Sequence, residues 1–396
     1  MSEDKKWLDT VIPKIAEGIG SHVEDVRYEL VKSLRSLMSY IYFVCVKYTN
    51  NLNQMSEECS FVIKKSTGCD SVSVGPQFSN EILFYQMYRR LDENFPRYFY
   101  SHEPLQLTST DWVIAFEDVG KLGFEACPYN YDAPYEYILA VVRELGRFHA
   151  KGYVMKEKNR AEFFRIVGKI KETRYDETTG KWLKGFINYL PIRAVEYLRD
   201  HGHDPNFCNK MEAVLSNAFK NVMTRVAEPS EPLSTICHGD ATLNNVFFKT
   251  RDDGQFDAML IDFALLRYGT PVIDLSTFLY LSCTNSMMRE KFFDILTVYH
   301  TELTNRLLQE GFRDIRKYSY NAILDDYKRG CVFGFVIASF YLPVLMGIAP
   351  NLEMTYLDDT EFFIKQSKEC GGEKMSAIFA EMLLQISDLG GLDHIL

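Results

Sequence analysis

Between Ser234 and Asp274 the chain places His238, Asp240, Asn245, Asp262 and Asp274 within one stretch, STICHGDATLNNVFFKTRDDGQFDAMLIDFALLRYGTPVID. Thr235-Ile236-Cys237 reads as a short apolar strand leading into His238-Gly239-Asp240. Val246-Phe247-Phe248 reads as a second strand that stops at Asp253-Gly254. Asp-Gly between apolar runs is a strong hairpin signal, and with those two residues as the loop the register predicts Asn245 directly opposite Asp262. Opposed residues of an antiparallel pair have Cβ atoms about 5 Å apart, so an amide oxygen and a carboxylate there can hold one hard cation such as Mg²⁺. Asp240 would stand beside that cation as a base, with His238 holding the loop. An Asp base with an Asn and Asp metal pair suits phosphoryl transfer from a nucleotide, where catalysis is mostly positioning and charge neutralisation. The competing reading is a polar loop followed by an ordinary hairpin.

The elements that must position these groups follow from periodicity. Trp7, Val11 and Ile15, then Val26, Leu30, Leu34 and Leu37, have helical spacing and predict a leading helix across residues 7–38. Tyr40–Tyr48 and Phe61–Lys64 are rich in aromatic and β-branched residues around the turn-prone Thr49-Asn50-Asn51, which predicts two antiparallel strands. Lys64 ends the second strand, where it could reach nucleotide phosphates or simply be solvated; Lys65 points to the other face. Glu81 opens a predicted helix, NEILFYQMYRRL, after the cap candidates Ser79 and Asn80, and an acid there is favoured by the helix dipole whatever its function. Trp112–Phe116 is a third strand ending in Glu117-Asp118-Val119-Gly120. Pro134–Ala150 is helical with His149 on its apolar face, a core histidine rather than a ligand. Residues 151–230 read as mainly helical, with breaks at Gly180, Pro191 and Gly202–Pro205, and carry no chemical motif. Cys331–Ala349 holds 19 residues without a charge, near the length of a membrane span. Gly334, Ser339, Pro343 and Gly347 interrupt it, and a buried helix near the acceptor is the expectation.

Composition bounds the rest. The chain has 396 residues, 46% of them apolar and 14% aromatic, enough for a large core in two or three domains. A net charge of −10 argues against nucleic-acid binding, which needs a basic surface. Nine cysteines from Cys45 to Cys370, an odd number without a CxxC pair, fit neither a disulfide framework nor a zinc site and point to a reducing cytosol. The N-terminus MSEDKKWLDTVIPK lacks the apolar run of a signal peptide.

HGDATLNNVFF followed by LIDFALLRYGTPVIDL resembles the CHK-type, ecdysteroid kinase-like family, relatives of the aminoglycoside phosphotransferases and choline kinases. FVIKK, FSNEILFY, FEDVG, LGF and GRFHA extend the resemblance, in order, over most of the chain. It implies a two-lobe, protein-kinase-like α+β fold: a small antiparallel sheet lobe over residues 1–120, a larger, mainly helical lobe over 121–396, and nucleotide between them. It implies an ATP- and Mg²⁺-dependent kinase acting on the hydroxyl of a small-molecule alcohol, steroid-like in class. Lys64 would hold the phosphates and Glu81 would fix Lys64. Backbone near Phe116–Val119 would meet adenine; the Glu117 and Asp118 carboxylates would be solvated or meet ribose. Asn245 and Asp262 would hold magnesium, Asp240 would be the base, and His238 and Asp274 would scaffold the loop.

The sequence also departs from the family. Ser36–Ser39, in the position of the nucleotide-covering loop, has no glycine to bring backbone N–H groups close to phosphate. Ala264 stands where the family has Gln, and Thr242 where it has Trp. These departures keep a catalytically inactive kinase-like binding module as the rival reading. A protein kinase would need HRD, DFG and APE segments, and a Ser-His-Asp hydrolase a GxSxG elbow; none is present.

Overall fold

The computed structural model describes residues 3–36, 38–67, 74–89, 94–105, 111–349 and 360–394. Leu37, and Arg90 and Leu91 at the end of the predicted NEILFYQMYRRL helix, lie outside them. The chain divides into two compact units, Met1–Glu125 and Ala126–Leu396.

Unit 1 is an antiparallel five-stranded sheet in the order β1-β2-β3-β5-β4, built from β1 (Val23–Arg35), β2 (Ser39–Asn50), β3 (Met55–Ser66), β4 (Tyr98–His102) and β5 (Val113–Glu117). Helix α1 (Glu3–Glu17) covers one face, because Leu8, Val11, Ile12 and Ile15 fall on one helical stripe and bury against Tyr42, Val44, Val46, Tyr48, Phe61 and Ile63. Each such side chain, fully buried, contributes about 1.5–3 kcal/mol. The alternation of β3 then decides where its two lysines go. Lys65 shares the face of Phe61 and Ile63, and its Nζ sits 4.5 Å from the Trp7 ring on α1. Lys64 takes the opposite face, toward helix α2 (Val74–Leu83).

The helix expected across residues 7–38 is two elements. Val26, Leu30 and Leu34 lie on β1, paired with β2, and Leu30 and Leu34 are exposed. A spacing of four fits one face of a helix, but it is also even and so fits one face of a strand.

Unit 2 is mainly helical. After the two-residue strand β6 (Glu125–Ala126) come α3 (Tyr135–Lys158), α4 (Arg160–Val167), α5 (Lys181–Tyr189), α6 (Ile192–Asp200), α7 (Pro205–Leu215) and the short α8 (Arg225–Ala227). Gly180 and Pro191 stand at the N-caps of α5 and α6, and Asp204 caps α7 by accepting from Asn206 N at 3.0 Å ahead of Pro205 at N1. Strand β7 (Thr235–Cys237) and the hairpin β8 (Val246–Thr250) and β9 (Phe256–Leu260) follow, then β10 (Arg267–Gly269), which pairs with β7. Helices α9 (Val272–Ser282), α10 (Asn285–Gln309), α11 (Tyr320–Gly330), α12 (Val332–Leu345), α13 (Thr360–Glu369) and α14 (Gly372–Asp388) complete the unit.

The uncharged stretch after Cys331 forms α12, with Val332–Ser339, Leu342 and Pro343 buried. Gly334 is required there, since a Cβ would meet the Ser276 backbone of α9 at 2.3 Å. No single helix among the described residues is long and apolar enough to cross a membrane.

Candidate active site

In unit 1, Lys64 Nζ donates to Glu81 Oε2 at 2.8 Å, and the two side chains are only 10% and 3% exposed. Glu81 does not open a helix: α2 starts at Val74, so Ser79 and Asn80 are internal and Glu81 sits near its C-terminal end, before a π-helical turn over Phe84–Tyr88. The helical run continues through that turn, so this carboxylate lies mid-helix without the help of an N-terminal dipole, and Lys64 supplies it with an opposite charge. At the end of β5, Asp118 Oδ1 accepts from Gly120 N at 3.1 Å and caps the 3₁₀ turn Val119–Leu122, in which Val119 is buried. Glu117 Oε2 accepts from Arg97 N at 3.3 Å. Both carboxylates have structural partners. Ser36 and Ser39 bond each other: Ser36 N donates to Ser39 O at 2.8 Å and Ser39 N to Ser36 Oγ at 3.0 Å.

In unit 2, β7 delivers the loop at His238. Asp274, in the first turn of α9, accepts from His238 N at 2.7 Å and from Gly239 N at 2.8 Å. It also accepts from His149 Nε2 at 2.9 Å, while His149 Nδ1 pairs with the Tyr299 hydroxyl at 2.8 Å. Both ring nitrogens of His149 are thus used inside the core. Burial works against ionisation of Asp274, yet the His149 hydrogen bond and the surrounding donors hold its carboxyl below the usual range. Gly239 has φ +82°, and a Cβ there would lie 1.9 Å from Leu265 O, so only glycine lets the loop pass. His238 Nε2 donates to Ile261 O at 2.8 Å, and its Nδ1 accepts from Asp240 N at 3.3 Å. That ring ties the two halves of the motif together.

Asn245 Nδ2 donates to Asp240 O at 2.9 Å and to Asp240 Oδ2 at 3.0 Å. The hairpin register differs from the expected one. Val246 pairs with Leu260, and Ile261 N donates to Asn245 O at 3.0 Å, so Asn245 lies opposite Ile261 and not Asp262. The cause is the turn: Gly254 N donates to Arg251 O at 2.9 Å and Gly254 is left-handed at φ +77°, which makes a three-residue loop over Asp252-Asp253-Gly254. Asp262 then leaves the strand in a left-handed conformation, φ 62° and ψ 70°. A non-glycine residue held there stores strain of order 1 kcal/mol or more, a feature that clusters at functional sites.

Burial pushes the Asp240 carboxyl above its ordinary range; the Arg174 guanidinium opposes this, and the Asp262 carboxylate adds to it. Arg174 was invisible to motif reasoning, since it sits more than sixty residues upstream in a stretch without a pattern. Asn244, beside Asn245, and Tyr341 on α12 share the electrostatic surroundings of Asp240: burial raises the pKa of the Tyr341 hydroxyl and the Asp240 carboxylate adds to this, while the Asn244 side chain and Arg174 oppose it. Asn245 Nδ2 is committed to Asp240, which leaves its Oδ1 as a hard oxygen donor of the kind Mg²⁺ takes, and the Asp262 carboxylate also acts on Asp240, so these residues could hold such an ion. His149, Cys237 and Asp274 also lie within 4.8 Å of one another. They do not form a metal centre: the Cys237 thiol donates to Gly269 O at 3.3 Å, burial raises its pKa well above normal, and Asp274 is already filled.

Among solved structures, the chain is similar to an ethanolamine kinase of Plasmodium vivax at 11% identity, covering 98% of this chain and 91% of that one with a TM-score of 0.46. It is similar to a macrolide 2'-phosphotransferase of Brachybacterium faecium at 13% identity, over 92% and 98% of the two chains, with a TM-score of 0.41. A microcompartment-associated aminopropanol kinase aligns at 13% identity over 96% and 99%, with a TM-score of 0.45. No curated protein matches it in sequence. The ecdysteroid kinase-like family matches residues 34–312 of the 396, and the chain belongs to that family.

Proposed function

We propose that the protein is an ATP-dependent phosphotransferase that phosphorylates a hydroxyl of a small molecule, with a steroid-like alcohol as the acceptor class. The observation that carries this reading is the Asp240 loop, in which a buried aspartate fixes the backbone and an asparagine amide fixes Asp240 itself. Asp240 orients the acceptor hydroxyl and takes its proton. Asn245 and Asp262 would hold Mg²⁺, which neutralises charge on the phosphates. Lys64, fixed by Glu81, binds phosphate, and backbone near Val119 binds the base, leaving Glu117 to its Arg97 contact. Asp274 and His238 keep the loop in shape. The unpaired cysteines among the described residues suit a reducing cytosol.

The Ser36–Ser39 segment favours a second reading, a kinase-like module that binds a small molecule without turnover, since the backbone donors of Ser36 and Ser39 already have partners. Thermal-shift titration with ATP and magnesium, followed by mass analysis of ecdysone incubated with both, separates the two. A ligand at 100 times its dissociation constant stabilises by about 2.7 kcal/mol. The kinase reading expects that stabilisation and a phosphorylated product; stabilisation by ecdysone alone, with no nucleotide effect and no product, establishes the module.

A further inference from the structure

Helix α3 holds the segment that leads into the Asp240 loop at more points than His149 alone. Thr235 Oγ1 donates to His149 O at 3.1 Å, and the Tyr153 hydroxyl donates to Leu233 O at 2.6 Å. Lys156 Nζ donates to Glu231 Oε2 at 2.9 Å, to Pro232 O at 3.1 Å and to Ser234 O. Residues 149, 153 and 156 follow one another at helical spacing and so share one face of α3. The consecutive carbonyls at 232, 233 and 234 thus all accept from side chains of one helix, in a stretch that belongs to no helix or strand and must find its partners elsewhere. The Lys156 side chain is only 2% exposed. A buried ammonium is costly unless each of its protons is used, and here an acceptor is at hand for every one. Glu231 is tied from a second side, by the hydroxyl of Tyr268 on β10, and Tyr268 pairs with Ile236 of β7. The strand between is short: β7 has three residues, all buried, and His238 follows it directly.

We propose that Lys156 is a positioning residue for the Asp240 loop. Its ammonium sets where the chain enters β7, while His149, through Asp274, sets where the chain leaves it. Two anchors on one helix face hold a three-residue strand between them, and Asp240 stands where that strand delivers it. An extended strand passes a shift of its start on to its end, since each residue adds about 3.3 Å along one direction. The compact ammonium, with three donors on a flexible stem, suits three oxygens that converge on one point; a planar guanidinium fits them less well. The inference takes the role of Asp240 from the phosphotransferase reading, but the anchoring of the loop does not depend on it.

Hydrogen exchange of the full chain, read by mass spectrometry for the wild type, Lys156→Met and Lys156→Arg, tests the anchor without substrate. In Lys156→Met the amides of residues 233–241, those of His238 and Gly239 included, should exchange about tenfold faster or more, while the amides in the middle of α3 keep their protection. Lys156→Arg, which keeps the charge, should recover part of that loss. Steady-state phosphorylation of ecdysone by Mg-ATP, well below each variant's melting midpoint, is the second readout. There kcat should fall about tenfold or more in Lys156→Met with KM for Mg-ATP unchanged, and Lys156→Arg should regain part of it. Should Lys156→Met fail to fold, Lys156→Gln, which keeps an amide donor without the charge, takes its place in both readouts. Unchanged exchange in residues 233–241, exchange that rises evenly across unit 2, or faster loop exchange with an unchanged kcat overturns the proposal. A wild type without turnover defeats the kinase reading and not the anchor, which the exchange pattern then decides by itself.

Discussion

The two units handle charge in opposite ways. In unit 1 a buried cation meets a buried anion, Lys64 with Glu81 at 2.8 Å, and the pair is electrically closed. In unit 2 Asp274 holds the loop that carries Asp240, and the Asp262 carboxylate raises the Asp240 pKa further, against the opposing Arg174 charge. A closed pair fixes a side chain; an open excess of negative charge suits the arrival of a cation. Asp274 shows how unit 2 tolerates the excess. It is placed behind the loop, where backbone N–H groups and His149 supply dipoles and hydrogen bonds in place of a counter-charge.

The largest effect belongs to the open side. Asp240→Asn keeps the Asn245 contact possible but removes the proposed base, so kcat should fall by about two to four decades while nucleotide affinity stays nearly intact. Comparable turnover in the mutant would take Asp240 out of the mechanism. The closed side breaks differently. Lys64→Ala or Glu81→Ala leaves one buried charge uncompensated, which costs about 3–5 kcal/mol of stability, whereas Lys64→Met with Glu81→Leu should cost much less than the sum. Urea denaturation of the three variants measures this, and additive losses would mean that the pair is not coupled.

Asp274 sharpens the same contrast through pH. Its folded-state pKa is lowered, so the folded protein binds fewer protons than the unfolded chain just below the unfolded value of about 3.9. The stabilisation is fully present above that value and is lost as pH falls through the folded pKa. Asp274→Asn should therefore be less stable at pH 7 by about 3 kcal/mol, from donors left without their charge, and its acid limb should be shallower. Denaturant midpoints between pH 3 and 7 that run parallel for the two proteins would show that Asp274 carries no such linkage.

What the sequence revealed and what it hid follow from range. The strands around Lys64, the helix bearing His149 and the loop from His238 to Asn245 are written in local periodicity and short motifs, and each sits on the expected type of element. Val26 and Leu30 misled because an even spacing serves two periods. Glu81 misled because Ser79 and Asn80 are good caps that the chain does not use as caps. Arg174 could not be found at all, since the turn that carries it is held by Glu172 together with Arg267 arriving from a distant strand. Asn244 did carry a signal, as half of an Asn-Asn pair, but nothing local said that Tyr341 would be among its surroundings.

The smallest expected effect concerns the cation that the open side invites. Asn245 and Asp262 are not directly opposed; Asn245 faces Ile261, and Asp262 follows in a left-handed conformation. Asp262→Asn should weaken magnesium-dependent nucleotide stabilisation more than Asn245→Ala does, because it deletes a full charge and Asn245 offers a neutral oxygen. Asn245→Ala also frees Asp240, so part of its effect should appear in kcat rather than in magnesium affinity. Two residues that share one ion are coupled, typically by about 0.5–3 kcal/mol, and the double mutant should lose less than the sum of the single losses. Magnesium titration of nucleotide-dependent melting in both single mutants and the double reads the coupling directly. Strict additivity, or a larger loss from Asn245→Ala, would show that the two side chains do not hold the same ion.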